Sequence, residues 1–374
     1  MKQKNTMRNS SIELLRIVAM FMIVLCHYAT HGGFTFEAHE LSISRFWWCF
    51  IEMGGNVGVD VFVLISGYYL VLDQSKIVKG RRVLKTWGQL VFYSLCLFAL
   101  GCFAGLNRFG AALLIKSTMP VSSSIWWFAS AWFVLYLIHP YINVLLCSLE
   151  KKDYQRMLLV VLMCWCVIPT VTTFSFQSNG LIWFVTLYCV AGYIKLYGLK
   201  KEYSYKKWLG IWVLFSLVRY LSCIVLVICG TRWESASAHA LHFYGQQSIL
   251  TLICSVALVM VFVNYRVTSC DVVNFIASAM FGVYLIHDHR VMRTLLWEQL
   301  FQNNRFQHTA IIIPVSIVVA LSIVAVCTLI DLLRQITVEK VYLWVMDCCI
   351  KRIRPFFERK NENMNNCERE EQEK

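Results

Sequence analysis

Across 374 residues the chain is 58% hydrophobic and only 15% charged, with a mean hydropathy of +0.57, far from the roughly half-apolar, quarter-charged balance of soluble domains. A soluble globular fold is excluded, and lipid is the expected solvent. The net charge of +13 does not mark a nucleic-acid binder, because the basic residues sit in short connections between apolar blocks rather than along one face of a soluble element. Sixteen cysteines would suit disulfides or zinc. Most of them, including Cys26, Cys96, Cys102, Cys164, Cys166, Cys189, Cys223, Cys229 and Cys254, lie inside apolar blocks, and no CxxC pair has metal spacing. They read as small core residues, and no metal is expected.

In chain order the apolar blocks predict about ten membrane-spanning helices in a single all-α bundle: 12–30, 47–72, 86–106, 125–147, 156–175, 180–197, 208–230, 248–265, 272–290 and 309–334. The block Ile12 to Thr30 follows a basic segment, as a signal sequence does, but it is long and keeps Glu13, Arg16 and His27, so it is expected to stay as a span. Alternate connections differ in charge. One set is sparse, with Arg45, then Arg108 and Lys116, then Arg232, then Arg290, Arg293 and Arg305. The other carries Lys76, Lys79, Arg81, Arg82 and Lys85, then Lys151, Lys152 and Arg156, then Lys195, Lys200, Lys201, Lys206 and Lys207, then Arg266. The positive-inside rule places this second set and both termini in the cytoplasm, and the chain is expected to be a multi-pass protein of the plasma (inner) membrane. The connection Asp288 to His308 is expected to be partly helical and interfacial. Residues 1–335 read as one membrane domain, and 336–374 as an amphipathic helix around Trp344 followed by a charged, disordered tail. No internal repeat of the solenoid or inverted kind is visible.

Ionisable groups inside spans are costly and mark function by default. Arg16 and His27 are eleven residues apart, which at about 100° and 1.5 Å per residue puts them on one helix face about 16 Å apart along the axis. Glu13, three residues before Arg16, joins that face. Two readings are open here: a functional polar stripe, or a snorkelling Glu13–Arg16 pair with His27 satisfied by a carbonyl. In the second span, GGNVGVDVFVLISGYYL offers small residues for close helix packing and one carboxylate, Asp60, whose candidate partners are Arg16 and His27. Arg82 and Lys85, at the entry of the third span, read either as ordinary positive-inside charge or as an anion site. No phosphate loop and no Gly-x-Ser-x-Gly elbow is present.

These residues resemble the membrane-bound acyltransferase 3 family. Its first helix carries an Arg followed after ten residues by a His, matched by Arg16 and His27 in RNSSIELLRIVAMFMIVLCHY. A Gly-Val run ending in Ser-Gly is similar to GVDVFVLISGYYL, with Ser66 in the Ser position. An Arg-x-x-Arg at the start of the third helix is matched by Arg82, with Lys85 in the second place. SAWFVLYLIHPYIN, with Trp132 and Tyr136, and FGVYLIHDH, with Tyr284 and His287, are also similar. The resemblance spans about residues 9 to 335. It implies ten core helices and transfer of an acyl group, usually acetyl, from cytoplasmic acyl-CoA to a hydroxyl of a surface or lipid-linked carbohydrate.

Such a transfer needs a base near the hydroxyl and cationic or N–H donors for the developing charge. His27 is assigned as general base, Arg16 to the donor end, and Asp60 or Glu13 to orienting or balancing the stripe. Arg82 and Lys85, helped by Arg81, are expected to hold the CoA phosphates. Ser66, Trp132, Tyr136, Tyr284 and His287 are expected along the substrate path. No tightly bound cofactor is expected, acetyl-CoA being a donor substrate, and the oligomeric state is left open. The competing reading is a transporter or flippase for a lipid-linked saccharide, which also predicts intramembrane charge; the missing repeat and the lack of paired broken helices stand against it.

Overall fold

The computed structural model describes residues 9–348 apart from 38, 74, 76, 173, 200–202, 266 and 267. The described residues are helical with no strand. Among the described residues nine helices are long and apolar enough to cross a membrane. They are α1 (Ser10–Thr30), α2 (Ile43–Leu70, with a turn at Met53), α3 (Gly80–Phe103), α4 (Trp127–Ser148), α5 (Lys151–Thr172), α6 (Gly180–Tyr197), α7 (Tyr205–Cys229), α8 (Glu234–Asn264, continuous from Ile249) and, after the shorter apolar α9 (Asp271–His287), α10 (Ile312–Cys348). The chain is an all-α polytopic membrane protein. The predicted ninth span is the one that falls short, because a two-residue turn at Ser278 and Ala279 splits it and it ends at His287 rather than at residue 290. The connection that follows is largely helical over 290–300 and 303–306.

α1 begins where Asn9 caps it, its side chain accepting from the Ser11 N–H at 3.0 Å, and Glu13 in the first turn complements the helix dipole. Its apolar run packs against α2 through small residues. A Cβ on Gly58 would stand 2.7 Å from the Ala19 carbonyl oxygen, and one on Gly55 would meet the Cys26 sulfur; only glycine lets the two backbones approach this closely. α1 and α2 lie at the centre of the bundle, whereas α5 and α7 turn most of their surface outward.

A buried polar node ties α3 to α10. Asp331, fully buried, accepts from Gln89 at 3.1 Å, Tyr93 at 2.7 Å, Arg334 at 2.8 Å and Gln335 at 2.8 Å. Past a turn at Thr337 the helix resumes over 338–348 and lies on the start of α3, where the Tyr342 hydroxyl donates to the Lys85 carbonyl at 3.1 Å. The last two residues of the amphipathic segment and the tail 351–374 lie outside the described residues.

Candidate functional site

Helical periodicity places Arg16, Met20, Ile23 and His27 on one face of α1, and all four line a cavity of about 340 Å³ inside the bundle. At the N-terminal end of α1 the cavity is bounded by Arg16, Lys85, Thr86, Ser278 and Gln335, and at the other end by His27, Trp127 and Tyr284. Between them Ser66 and Trp132 contribute to the wall. The Trp132 indole N–H donates to Ser66 Oγ at 3.1 Å, and Ser66 Oγ donates to the Phe62 carbonyl at 2.9 Å. Glu13, buried, accepts from Arg16 at 3.2 Å.

The surroundings of His27 determine which of its nitrogens carries the proton. His287 Nδ1 lies 2.6 Å from the Val283 carbonyl, which can only accept, so Nδ1 is protonated and Nε2 of the neutral ring accepts. His27 Nδ1 sits 2.9 Å from that Nε2 and is therefore the donor. The proton is assigned through these partners. His27 Nε2 is left as the bare, basic nitrogen. Asp288, 3% exposed, approaches the same ring at 3.4 Å and His31 at 3.8 Å, and it accepts from Arg293 Nη2 at 2.7 Å and Nε at 3.0 Å. Burial opposes the Asp288 charge, but the neighbouring His27, His31, His287 and Arg293 hold its carboxyl well below the usual carboxylate range. The ligand atoms of His27, His31 and Asp288 also lie within 4.8 Å of one another, a spacing a metal can use. The Asp288 oxygen facing the histidines already takes both Arg293 donors, however, and a fixed guanidinium there repels a cation.

A second cavity, of about 350 Å³, lies at the C-terminal end of α1 and is lined by Thr30, His31, Glu52, Asn56 and Arg293. It shares Ile23, His27, Val59 and Trp127 with the first. His27 thus stands in the wall between two cavities that extend toward opposite ends of the bundle.

Several sequence-assigned residues lie elsewhere. Asp60 is fully buried and accepts from the Trp183 indole N–H of α6 at 3.0 Å, so Trp183 and not Arg16 or His27 is its partner. The reason is helical phase: Val59, Phe62 and Ser66 of α2 face the cavity, and position 60 is rotated about 100° from position 59. Tyr136 stacks behind Trp132, ring centroids 5.5 Å apart, and is not part of the cavity lining. His287, fully buried, contacts His27 and is not part of the cavity lining. Of the basic trio, Lys85 lines the cavity and contacts Glu339 at 2.5 Å, Arg81 pairs with Asp347 at 3.3 Å, and the Arg82 guanidinium lies 6.0 Å from the Tyr136 ring centroid. Sequence reading missed Asp288, Arg293, His31 and Glu52 as neighbours of the cavities. The run His287-Asp288-His289 at a predicted span end was the one local signal for Asp288.

Residues 9–332 match the family model described as an acyltransferase domain. No curated protein and no solved structure matches the chain. With the match covering nearly its whole length, the chain belongs to the acyltransferase 3 family.

Proposed function

We propose that this membrane acyltransferase moves an acetyl group from cytoplasmic acetyl-CoA to a hydroxyl of a surface or lipid-linked carbohydrate at the plasma (inner) membrane. The observation that carries the reading is the place of His27 between two cavities, one running toward Arg16 and Lys85 and the other toward Glu52 and Asn56. The positive-inside bias makes the Lys85 end cytoplasmic, where Lys85, Arg81 and Arg82 are the cations for CoA phosphates. The thioester arm enters past Arg16 and presents its carbonyl near His27. His27 Nε2 removes the acceptor hydroxyl proton as the oxygen attacks, the new C–O bond replaces the C–S bond, and the proton passes to the departing CoA sulfur. Asp288 stabilises the imidazolium while it exists, and His287 holds the tautomer. Residues 1–335 form the catalytic membrane domain, with 336–374 following on the cytoplasmic side; nucleic acid is no partner.

The test is turnover by the purified protein in lipid nanodiscs. Radiolabelled acetyl-CoA should lose its label to a carbohydrate acceptor with stoichiometric release of free CoA. A transporter or flippase for a lipid-linked saccharide would move its cargo across vesicles with no consumption of acetyl-CoA, and that result overturns the proposal.

A further inference from the structure

The second cavity has a chemistry of its own. The Glu52 carboxyl group takes the Thr30 hydroxyl at 3.0 and 3.1 Å and the Cys26 thiol at 3.6 Å, which leaves further lone pairs on its oxygens. The Asn56 amide donates to the Tyr244 carbonyl at 2.8 Å through Nδ2, and its Oδ1 has no partner among the described residues. Glu52 and Asn56 lie one helical turn apart on α2 and both line the cavity. Across from them stand His31 and Arg293, the latter neutralised by Asp288. Trp127 supplies an aromatic wall. Thr30, on the rim, is exposed, so the cavity is reached from the side opposite Lys85.

Acceptor oxygens in excess of free donors, beside an aromatic plane, suit a ring that brings several hydroxyl donors on one edge and an apolar C–H face on the other. A volume of about 350 Å³ is at the small end of ligand pockets, enough for one ring rather than a chain. The guanidinium that lines the cavity, Arg293, is already paired with Asp288. An anionic ligand therefore finds no free guanidinium to pair with there.

We infer that this second cavity is the acceptor subsite, that it takes a single neutral pyranose ring, and that Glu52 is the group that binds the ring hydroxyls next to His27. The inference rests on the reading of His27 as the base. The pyranose hydroxyl nearest His27 is the one acylated, and the remaining hydroxyls are ordered by Glu52 and Asn56. Anionic sugars and simple alcohols are poor acceptors, the first because their charge meets no free guanidinium and the second because they leave Glu52 and Asn56 without donors.

The experiment uses the full-length protein in nanodiscs with methyl α-D-glucopyranoside and methyl α-D-galactopyranoside as probes, and a methyl glucuronide and 1-butanol as comparisons. Binding is read by saturation-transfer NMR and acetyl transfer by label from acetyl-CoA. The neutral pyranosides should bind and accept label, and Glu52→Gln should weaken their binding and kcat/KM by about ten- to a hundredfold, as expected for leaving ring hydroxyls in the cavity without a partner. The KM for acetyl-CoA should stay unchanged, and Glu52→Gln should unfold at the native temperature because the amide oxygen still accepts from Thr30. Pyranosides that fail to bind the native protein, binding unaltered by Glu52→Gln, or equal transfer to butanol or the glucuronide each overturn the inference. Binding that depends on Glu52 without any acetyl transfer leaves the sugar site standing and removes the acyl-transfer reading instead.

Discussion

The two ends of the first cavity are built differently. At the Lys85 end the cations are long side chains held by single contacts, with the Lys85 side chain 47% exposed against Glu339 and that of Arg81 68% exposed against Asp347. At the His27 end the groups are short, buried and mutually bonded, with the Asp288 side chain 2% exposed and His287 fully buried. Exposed pairs of the first kind contribute little to stability and exchange partners readily, which suits a site where phosphates replace the carboxylates. A preorganised cluster of the second kind holds one proton arrangement while bonds change.

The contrast is broken most directly by removing the base. His27→Ala should cost on the order of a hundred- to ten-thousandfold in acetyl transfer at normal protein abundance, as for the loss of a positioned base. Asp288→Asn should cost less, about ten- to a hundredfold, since it keeps the shape and an oxygen for Arg293 while removing the charge that stabilises the imidazolium and neutralises Arg293. Both losses should appear in kcat, with the KM for acetyl-CoA unchanged. Single-turnover kinetics of the two variants checks this. Equal losses would mean that Asp288 holds the site together instead of acting on the charge.

How much of this was readable beforehand follows the range of the interactions. The stripe of Glu13, Arg16 and His27 is local to one helix, and the period of 3.6 residues puts it on one face without knowledge of the fold. The spans follow from hydropathy, except where α9 breaks at Ser278 and Ala279, a break that composition does not signal. The partners of the stripe were not readable. His287 is 260 residues from His27 in the chain, and Asp288 sits in a connection where it reads only as a counter-charge to three arginines. Asp60 shows the converse error: a lone intramembrane carboxylate invites pairing with the nearest known cation, whereas the rotation of α2 turns it to Trp183.

The Lys85 end yields a prediction of opposite signs. Arg82→Gln with Lys85→Gln should raise the KM for acetyl-CoA by about tenfold, since phosphate contacts made by cations are lost. Glu339→Gln should lower that KM severalfold, because it removes the carboxylate that now occupies Lys85 at 2.5 Å. Arg334, which also pairs with Glu339 at 2.8 Å, still donates to Asp331, so the buried node survives. Steady-state kinetics against acetyl-CoA at saturating acceptor reads both. If Glu339→Gln raises the KM as well, the helix over 338–348 supports the donor site instead of competing for it.

The smallest effect is expected at Asp60, and it carries the sharpest contrast with Asp288. Both are buried carboxylates in or beside the spans, but Asp288 faces His27 and Arg293, whereas Asp60 accepts from a neutral indole N–H and lies off the cavity-facing side of α2. An amide at position 60 keeps an oxygen for the Trp183 donor and removes a buried charge that has the buried Arg219 as a cationic neighbour. Asp60→Asn should therefore leave kcat and both KM values within about threefold of native, far from the cost of a lost base, and should leave thermal unfolding unchanged or raised. Asp60→Leu, which leaves the Trp183 N–H buried without a partner, should lower the unfolding temperature while the remaining folded fraction stays active. A hundredfold fall in kcat for Asp60→Asn with unaltered unfolding would return Asp60 to the chemistry.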